Sequence, residues 1–301
     1  MRISQRKKRQ NKRALRFLLV KIFTFTLCIS LLIRTAVSQT TVVASENKSN
    51  LLLQQIVQIH TDNKNLKSQN INLRSTIKQN NNLFKEKLDN TKIAYLTFDD
   101  GPSNNTLQIL KILKQYDIKA TFFVNGHPNL KYLYKQISDD GHALANHTYS
   151  HDYKNIYASP ENFINDVKKL DEFLTEITGK QSNHIIRYPG GSNNTISCNY
   201  GGIQIMNTII KQMNMTDYKY FDWNVDSTDA SAFCQKKDKI VQAVLTQSSQ
   251  KKHPVILLHD LNPKTTTVQA LPEIIEGLKN QGFIFDVLSK NIYAPQFKIV
   301  K

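Results

Sequence analysis

Residues 93–102 read Ile93-Ala94-Tyr95-Leu96-Thr97-Phe98-Asp99-Asp100-Gly101-Pro102. A short apolar run stopped by turn-makers has the pattern of a buried strand. Further along the chain the same pattern predicts strands at 120–124, 142–146, 184–187, 218–225, 255–258 and 283–288. Helical periodicity fills the intervals, as at 106–116, 160–178 and 268–281. Seven β–α alternations predict an α/β fold with a parallel sheet, closed into a barrel. Barrels of that kind carry their chemistry at the C-terminal ends of the strands. Reactive side chains are therefore expected just after each strand.

They are found there. Asp99 and Asp100 end the first strand, and two carboxylates aimed in different directions can hold a cation and handle a proton. After the third strand comes His147-Thr148-Tyr149-Ser150-His151. Histidines four apart in a helical turn share one face and suit a single metal ion. Two imidazoles and a carboxylate make a three-ligand site with a position left open, as catalytic zinc sites have. Arg187, ahead of a Pro-Gly turn, is the one Arg after residue 75, in a region that otherwise uses Lys. Its planar fork can fix a carboxylate in a way Lys cannot. His259, directly after an apolar strand, has the place of a proton donor. Taken singly, each of these reads equally well as a structural residue: an Asp-rich turn, a chance His pair, a surface Arg, a satisfied core His. Trp223 reads as core packing or as a sugar platform.

Together the segments resemble the polysaccharide deacetylases with a NodB homology domain, carbohydrate esterase family 4, over about residues 92–288. Within that family the chain resembles the membrane-anchored peptidoglycan N-acetylglucosamine deacetylases. The resemblance implies a distorted (β/α)7 barrel of NodB type. It implies that Asp99 is the general base and that Asp100, His147 and His151 bind a divalent metal: zinc first, with cobalt, nickel or manganese as alternatives. By the same resemblance Arg187 orients Asp99, His259 is the acid that protonates the departing amine, and Asp229 pairs with His259. Leu257 would wall the acetyl pocket, with Tyr188, Gly190 and Trp223 as further substrate contacts. Two positions depart from the pattern. Gly190 stands where the family often has an aromatic, leaving its backbone N–H as the contribution to the oxyanion, and Ala230 follows Asp229 where Trp is frequent. Trp223 or Tyr188 would then supply the missing wall.

The first ninety residues have a different character. All ten Gly and all eight Pro lie after residue 100, so what precedes can form long helices but few tight turns. The formal charge of +16 suggests nucleic acid, yet residues 1–40 carry ten basic residues and no acid. Residues 1–16 read as a basic cytosolic tail and 17–37 as a transmembrane signal-anchor, oriented by the positive flank. Lys21 can snorkel to the headgroups. The competing reading is a signal peptide cleaved after Ala36-Val37-Ser38. Both readings export the rest, and neither leaves a role for nucleic acid. Residues 38–90 read as a helical coiled-coil stalk. Leu52, Ile56, Ile59, Asn63, Leu66, Asn70, Leu73 and Ile77 follow a 4-3 spacing, and Asn at a positions favours a parallel homodimer. A lone amphipathic stalk is the alternative.

Residues 91–301 are then the catalytic domain, and a cell-wall glycan is its expected partner. The leading function is N-deacetylation of N-acetylglucosamine in peptidoglycan. Deacetylation of chitin-like oligomers, poly-N-acetylglucosamine or xylan keeps the chemistry and changes the polymer. A glycan-binding scaffold without catalysis is the remaining alternative. Cys198 and Cys234 read as a disulfide or as two free thiols.

Overall fold

A computed structural model of the protein describes residues 25–28, 30, 57–78 and 91–299. The basic tail 1–16 lies outside the described residues, as does the expected anchor 17–37 apart from 25–28 and 30. Among the described residues no helix is long and apolar enough to cross a membrane. The chain divides into two units, Met1–Glu86 and Lys87–Lys301. In the first, residues 57–78 form a helix that carries Ile59, Leu66, Asn70, Leu73 and Ile77 of the 4-3 pattern, while the flanks of the expected stalk, 38–56 and 79–90, lie outside the described residues.

The second unit is built on parallel strands. They are β1 (Ile93–Asp99), β2 (Thr121–Val124), β3 (Ala143–Asn146), β4 (Ile185–Ile186), β5 (Lys219–Tyr220), β6 (Val225–Asp226), β7 (Val255–His259) and β8 (Ile284–Phe285). The helices are α1 (Thr106–Gln115), α2 (Lys131–Asp139), α3 (Tyr153–Ile156), α4 (Pro160–Thr178), α5 (Cys198–Gly201), α6 (Ile205–Met213), α7 (Lys237–Ser248) and α8 (Thr265–Asn280). The sheet order is β5-β4-β3-β2-β1-β7-β6, with β8 paired to the start of β1. All seven residues of β1 are buried, as a central parallel strand covered on both faces requires. Alternation then sorts its side chains. Leu96 and Phe98 face outward with Phe122 and Leu258 onto Ile109 and Leu113 of α1 and Ile274, Ile275 and Leu278 of α8. Tyr95 faces inward with Phe123, Ala145, Ile185 and Phe221.

The closed (β/α)7 barrel expected from the alternation is corrected to a curled parallel sheet left open between β5 and β6. The strand predicted at 218–225 is two short strands on opposite edges. Residues 221–224 cross the seam between them: Phe221 N–H donates to Ile186 O at 2.9 Å, and Asn224 N–H donates to Val255 O at 3.1 Å. Each edge strand thus finds a partner on its own side, and no continuous ladder forms across the gap. The C-terminal segment covers the seam: Asp222 N–H donates to Pro295 O, and Phe297 N–H donates to the Asp222 carboxylate at 2.8 Å. Among the described residues all cysteines, including Cys198 and Cys234, are free.

Candidate active site

Asp99 is the last residue of β1 and is buried. The next residue, Asp100, takes φ +71°, which turns its side chain away from the strand's alternation. Adjacent carboxylates thus face different partners. The turn after them is held from below by Asp260, which is fully buried and accepts from Ser103 Oγ and Thr106 Oγ1, both at 2.6 Å. A Cβ on Gly101 would stand 2.5 Å from Asp260 Oδ2, so this approach needs glycine. Nothing in the sequence marked Asp260 beyond its place after His259.

The two histidines converge, but not by the helical spacing expected of them. Residues 147–151 form an irregular loop in which Thr148 and His151 have φ +66° and +50°. The loop is built by side chains that take the place of a helix ladder. Asn146 Oδ1 accepts from Thr148 N–H, Asp166 Oδ1 accepts from Ser150 N–H, and Asn125 donates to the carbonyls of His147 and Thr148. The imidazole centroids end 5.1 Å apart.

Asp100, His147 and His151 offer one donor atom each, all within 4.8 Å of one another. The two Nε2 atoms lie 3.4 and 3.2 Å from Asp100 Oδ1. His147 Nδ1 lies 2.8 Å from Arg187 O, a carbonyl that can only accept. That bond puts the ring proton on Nδ1 and leaves the Nε2 lone pair facing the carboxylate. Asp100 Oδ1 itself is buried and accepts no hydrogen bond. Convergent lone pairs around an unsatisfied buried oxygen fit a divalent cation.

Arg187 follows β4 and is fully buried. It spends its donors on four partners: Nη1 on Asp99 Oδ1 at 2.7 Å and Thr97 Oγ1 at 2.8 Å, Nε on Phe221 O at 3.0 Å, Nη2 on Asp222 O at 3.1 Å. The guanidinium also lies over the Phe123 ring at 4.2 Å. One residue therefore holds the Asp99 carboxylate and ties the seam segment to the sheet.

His259 ends β7, opposite Asp99 in register. Its Nδ1 lies 2.7 Å from Asp229 Oδ1, and its backbone N–H donates to Asp229 Oδ2 at 2.8 Å. Burial alone would lower the His259 pKa; the Asp229 bond and the charges of Asp229, Asp99 and Asp100 outweigh it and raise it to about 9. Burial alone would raise Asp229; its bonds to His259 and Thr267 outweigh that and lower it. The sequence did not single out Lys264, whose Nζ donates to Asp229 O at 2.9 Å and Ala232 O at 2.8 Å and so fixes the turn that carries Asp229.

The expected sugar contacts divide. Gly190, with φ +77°, stands in the turn after Arg187. Leu257 is 5% exposed, in register with Thr97. Trp223 is half-buried, its ring edge-on to Phe297 at 4.9 Å. Tyr188 is corrected: it is fully buried, packed against Phe163 and Tyr220, and offers no face to a glycan.

Comparison with known proteins bears on the whole arrangement. The family model for polysaccharide deacetylase matches residues 86–202. A peptidoglycan-N-acetylglucosamine deacetylase of Bacillus cereus is 35% identical over 211 residues, 68% of this chain and 72% of that protein. The chain belongs to the polysaccharide deacetylase family. It is thus a metal-dependent amide hydrolase of carbohydrate esterase family 4, with an Asp-His-His triad as the candidate metal site. The crystal structure of the catalytic domain of a peptidoglycan N-acetylglucosamine deacetylase from Eubacterium rectale matches with a TM-score of 0.66 at 35% identity, covering 70% of this chain and 94% of that one. A bifunctional xylanase/deacetylase of Pseudobutyrivibrio xylanivorans is 33% identical over 213 residues, 67% of this chain and 30% of that protein.

Proposed function

We propose that this deacetylase hydrolyses the N-acetyl groups of N-acetylglucosamine residues in cell-wall peptidoglycan and releases acetate. The observation that carries the reading is the His259–Asp229 pair at 2.7 Å, which keeps an imidazolium charged at neutral pH beside the metal triad. An ester can expel its alcohol with little help, whereas an amide must be protonated on nitrogen before the amine leaves. A site that keeps its proton donor charged at neutral pH is therefore suited to an N-acetyl bond. The peptidoglycan N-acetylglucosamine deacetylases among its relatives, at 35% identity, support the choice of polymer.

The roles follow from position. Asp100, His147 and His151 would hold the cation, with zinc the favoured ion for a His-His-carboxylate set. When bound, it supplies Lewis acidity at the acetyl carbonyl. Asp99 is the base: Arg187 holds its Oδ1, and Oδ2 lies 3.8 Å from His147 Nε2, so it faces the triad. It takes the proton of the attacking water. His259 delivers a proton to the departing nitrogen, and Asp229 holds the ring and offsets its charge. Arg187, fully buried, acts by holding and aiming the Asp99 carboxylate.

The N-terminal segment completes the proposal. The basic tail at 1–16 and the apolar stretch at 17–37 support the further proposal that the domain is exported, either tethered to the membrane or released after cleavage. The test is acetate release from purified peptidoglycan, set beside N-acetylglucosamine oligomers and acetylated xylan. Peptidoglycan is expected to be preferred; a preference for xylan would overturn the choice of polymer.

A further inference from the structure

Two tyrosines one helical turn apart on α3 and its C-cap face the turn after Arg187. Tyr157 donates its hydroxyl to Pro189 O at 2.7 Å. Asn194 adds bonds to Pro189 O at 3.3 Å and Gly191 O at 2.9 Å, and Gly191 N–H donates to Tyr188 O at 2.8 Å. The turn is therefore fixed through its other polar groups, while the N–H of Gly190 donates to none of the described residues. A preorganised free donor of this kind is what a developing oxyanion requires.

Tyr153 stands directly beside it. A Cβ on Gly190 would lie 2.5 Å from Tyr153 Oη, so the phenol occupies the space a side chain at 190 would take. Its ring lies edge-on to the triad residue His151 at 5.5 Å and to Tyr157 at 5.3 Å. Unlike Tyr157, Tyr153 gives its hydroxyl to none of the described residues. A half-buried hydroxyl without a partner, wedged between a metal-triad histidine and a free backbone donor, is poised for a ligand.

We infer that the Tyr153 hydroxyl is a catalytic residue: it donates to the acyl oxygen of the substrate, beside the N–H of Gly190. The inference does not depend on which polymer carries the acetyl group. It also gives Gly190 a reason, since any larger residue there would push the phenol out of the site. Negative charge develops on the acyl oxygen as water adds, so a donor aimed at it acts on kcat more than on KM.

The test is Tyr153→Phe in the metal-loaded protein, assayed on whichever acetylated glycan the wild type turns over. The expected result is a fall in kcat of about 100-fold with KM little changed. The unfolding midpoint and bound metal per chain are expected to match the wild type. Acetate, which presents the same oxygen, is expected to bind the variant more weakly by calorimetry. An unchanged kcat, a rise in KM alone, or a fall that tracks metal loss would each overturn the assignment. A wild type active on xylan and not on peptidoglycan would overturn the polymer proposed above, while the Tyr153→Phe comparison would proceed on xylan.

Discussion

Arg187 Nη1 stands 2.7 Å from Asp99 Oδ1, and both side chains are shut away from water. A buried pair of this kind does little for stability compared with an apolar pair, but breaking it strands a charge. Arg187→Met is expected to destabilise the domain by about 3–5 kcal/mol, measured by urea unfolding. The second substitution Asp99→Asn is expected to restore part of that loss and none of the activity. Arg187→Lys cannot reach Phe221 O, Asp222 O, Thr97 and Asp99 together, so it is expected to fail as well.

His259 predicts the alkaline side of the pH profile. Its pKa rises from an ordinary 6.5 to about 9 on folding. A raised pKa means that the folded state holds the proton more tightly, so the pair's stabilisation is complete below about 6.5 and is lost as pH climbs through about 9. Activity is expected to fall over the same upper range as the acid deprotonates. Asp229→Asn removes the main partner and is expected to move that limb of kcat/KM toward neutral pH. A limb that stays in place would assign the titration to another group.

Metal binding links the triad to stability. A ligand that binds the native state alone raises the unfolding midpoint in proportion to the logarithm of its concentration. Added zinc is expected to raise the wild-type midpoint and leave Asp100→Ala and His147→Ala unmoved. A chelator is expected to abolish acetate release and added metal to restore it.

Gly190→Ala tests the turn. A Cβ at φ +77° costs about 1–2 kcal/mol from backbone strain. It also displaces Tyr153 Oη, which lies 2.5 Å from the new atom. Activity measured well below the unfolding transition is expected to fall further than the strain explains.

Much of this was legible in the chain. Helical periodicity predicts α4 at 160–178, its observed bounds, and in the structure local signals set those bounds: Ser159 caps it, Pro160 starts it and Gly179 ends it. The residues of the site were legible because each follows a strand. What escaped depends on distant parts of the chain. The strand at 218–225 reads as one run because aromatic and apolar residues recur along it with no Gly or Pro to break it, while its two halves pair with β4 and β7 on opposite edges. The histidine loop read as a helix because side-chain bonds from Asn146 and Asp166 leave no mark in periodicity. Tyr188 looked like a groove residue from its place beside Arg187, but β4 turns it into the core among Phe163 and Tyr220. Tyr153 gave no signal, since its position matters only once Gly190 is known to adopt φ +77° and leave room for it.

The most direct test of the proposed activity is free glucosamine in purified peptidoglycan after incubation with the metal-loaded protein. Released acetate is counted in the same sample. Equal amounts of acetate and new free amine, both absent with chelator or with His259→Ala, are the predicted result. Acetate without new amine would mean that an ester was cleaved and would contradict the proposed reaction.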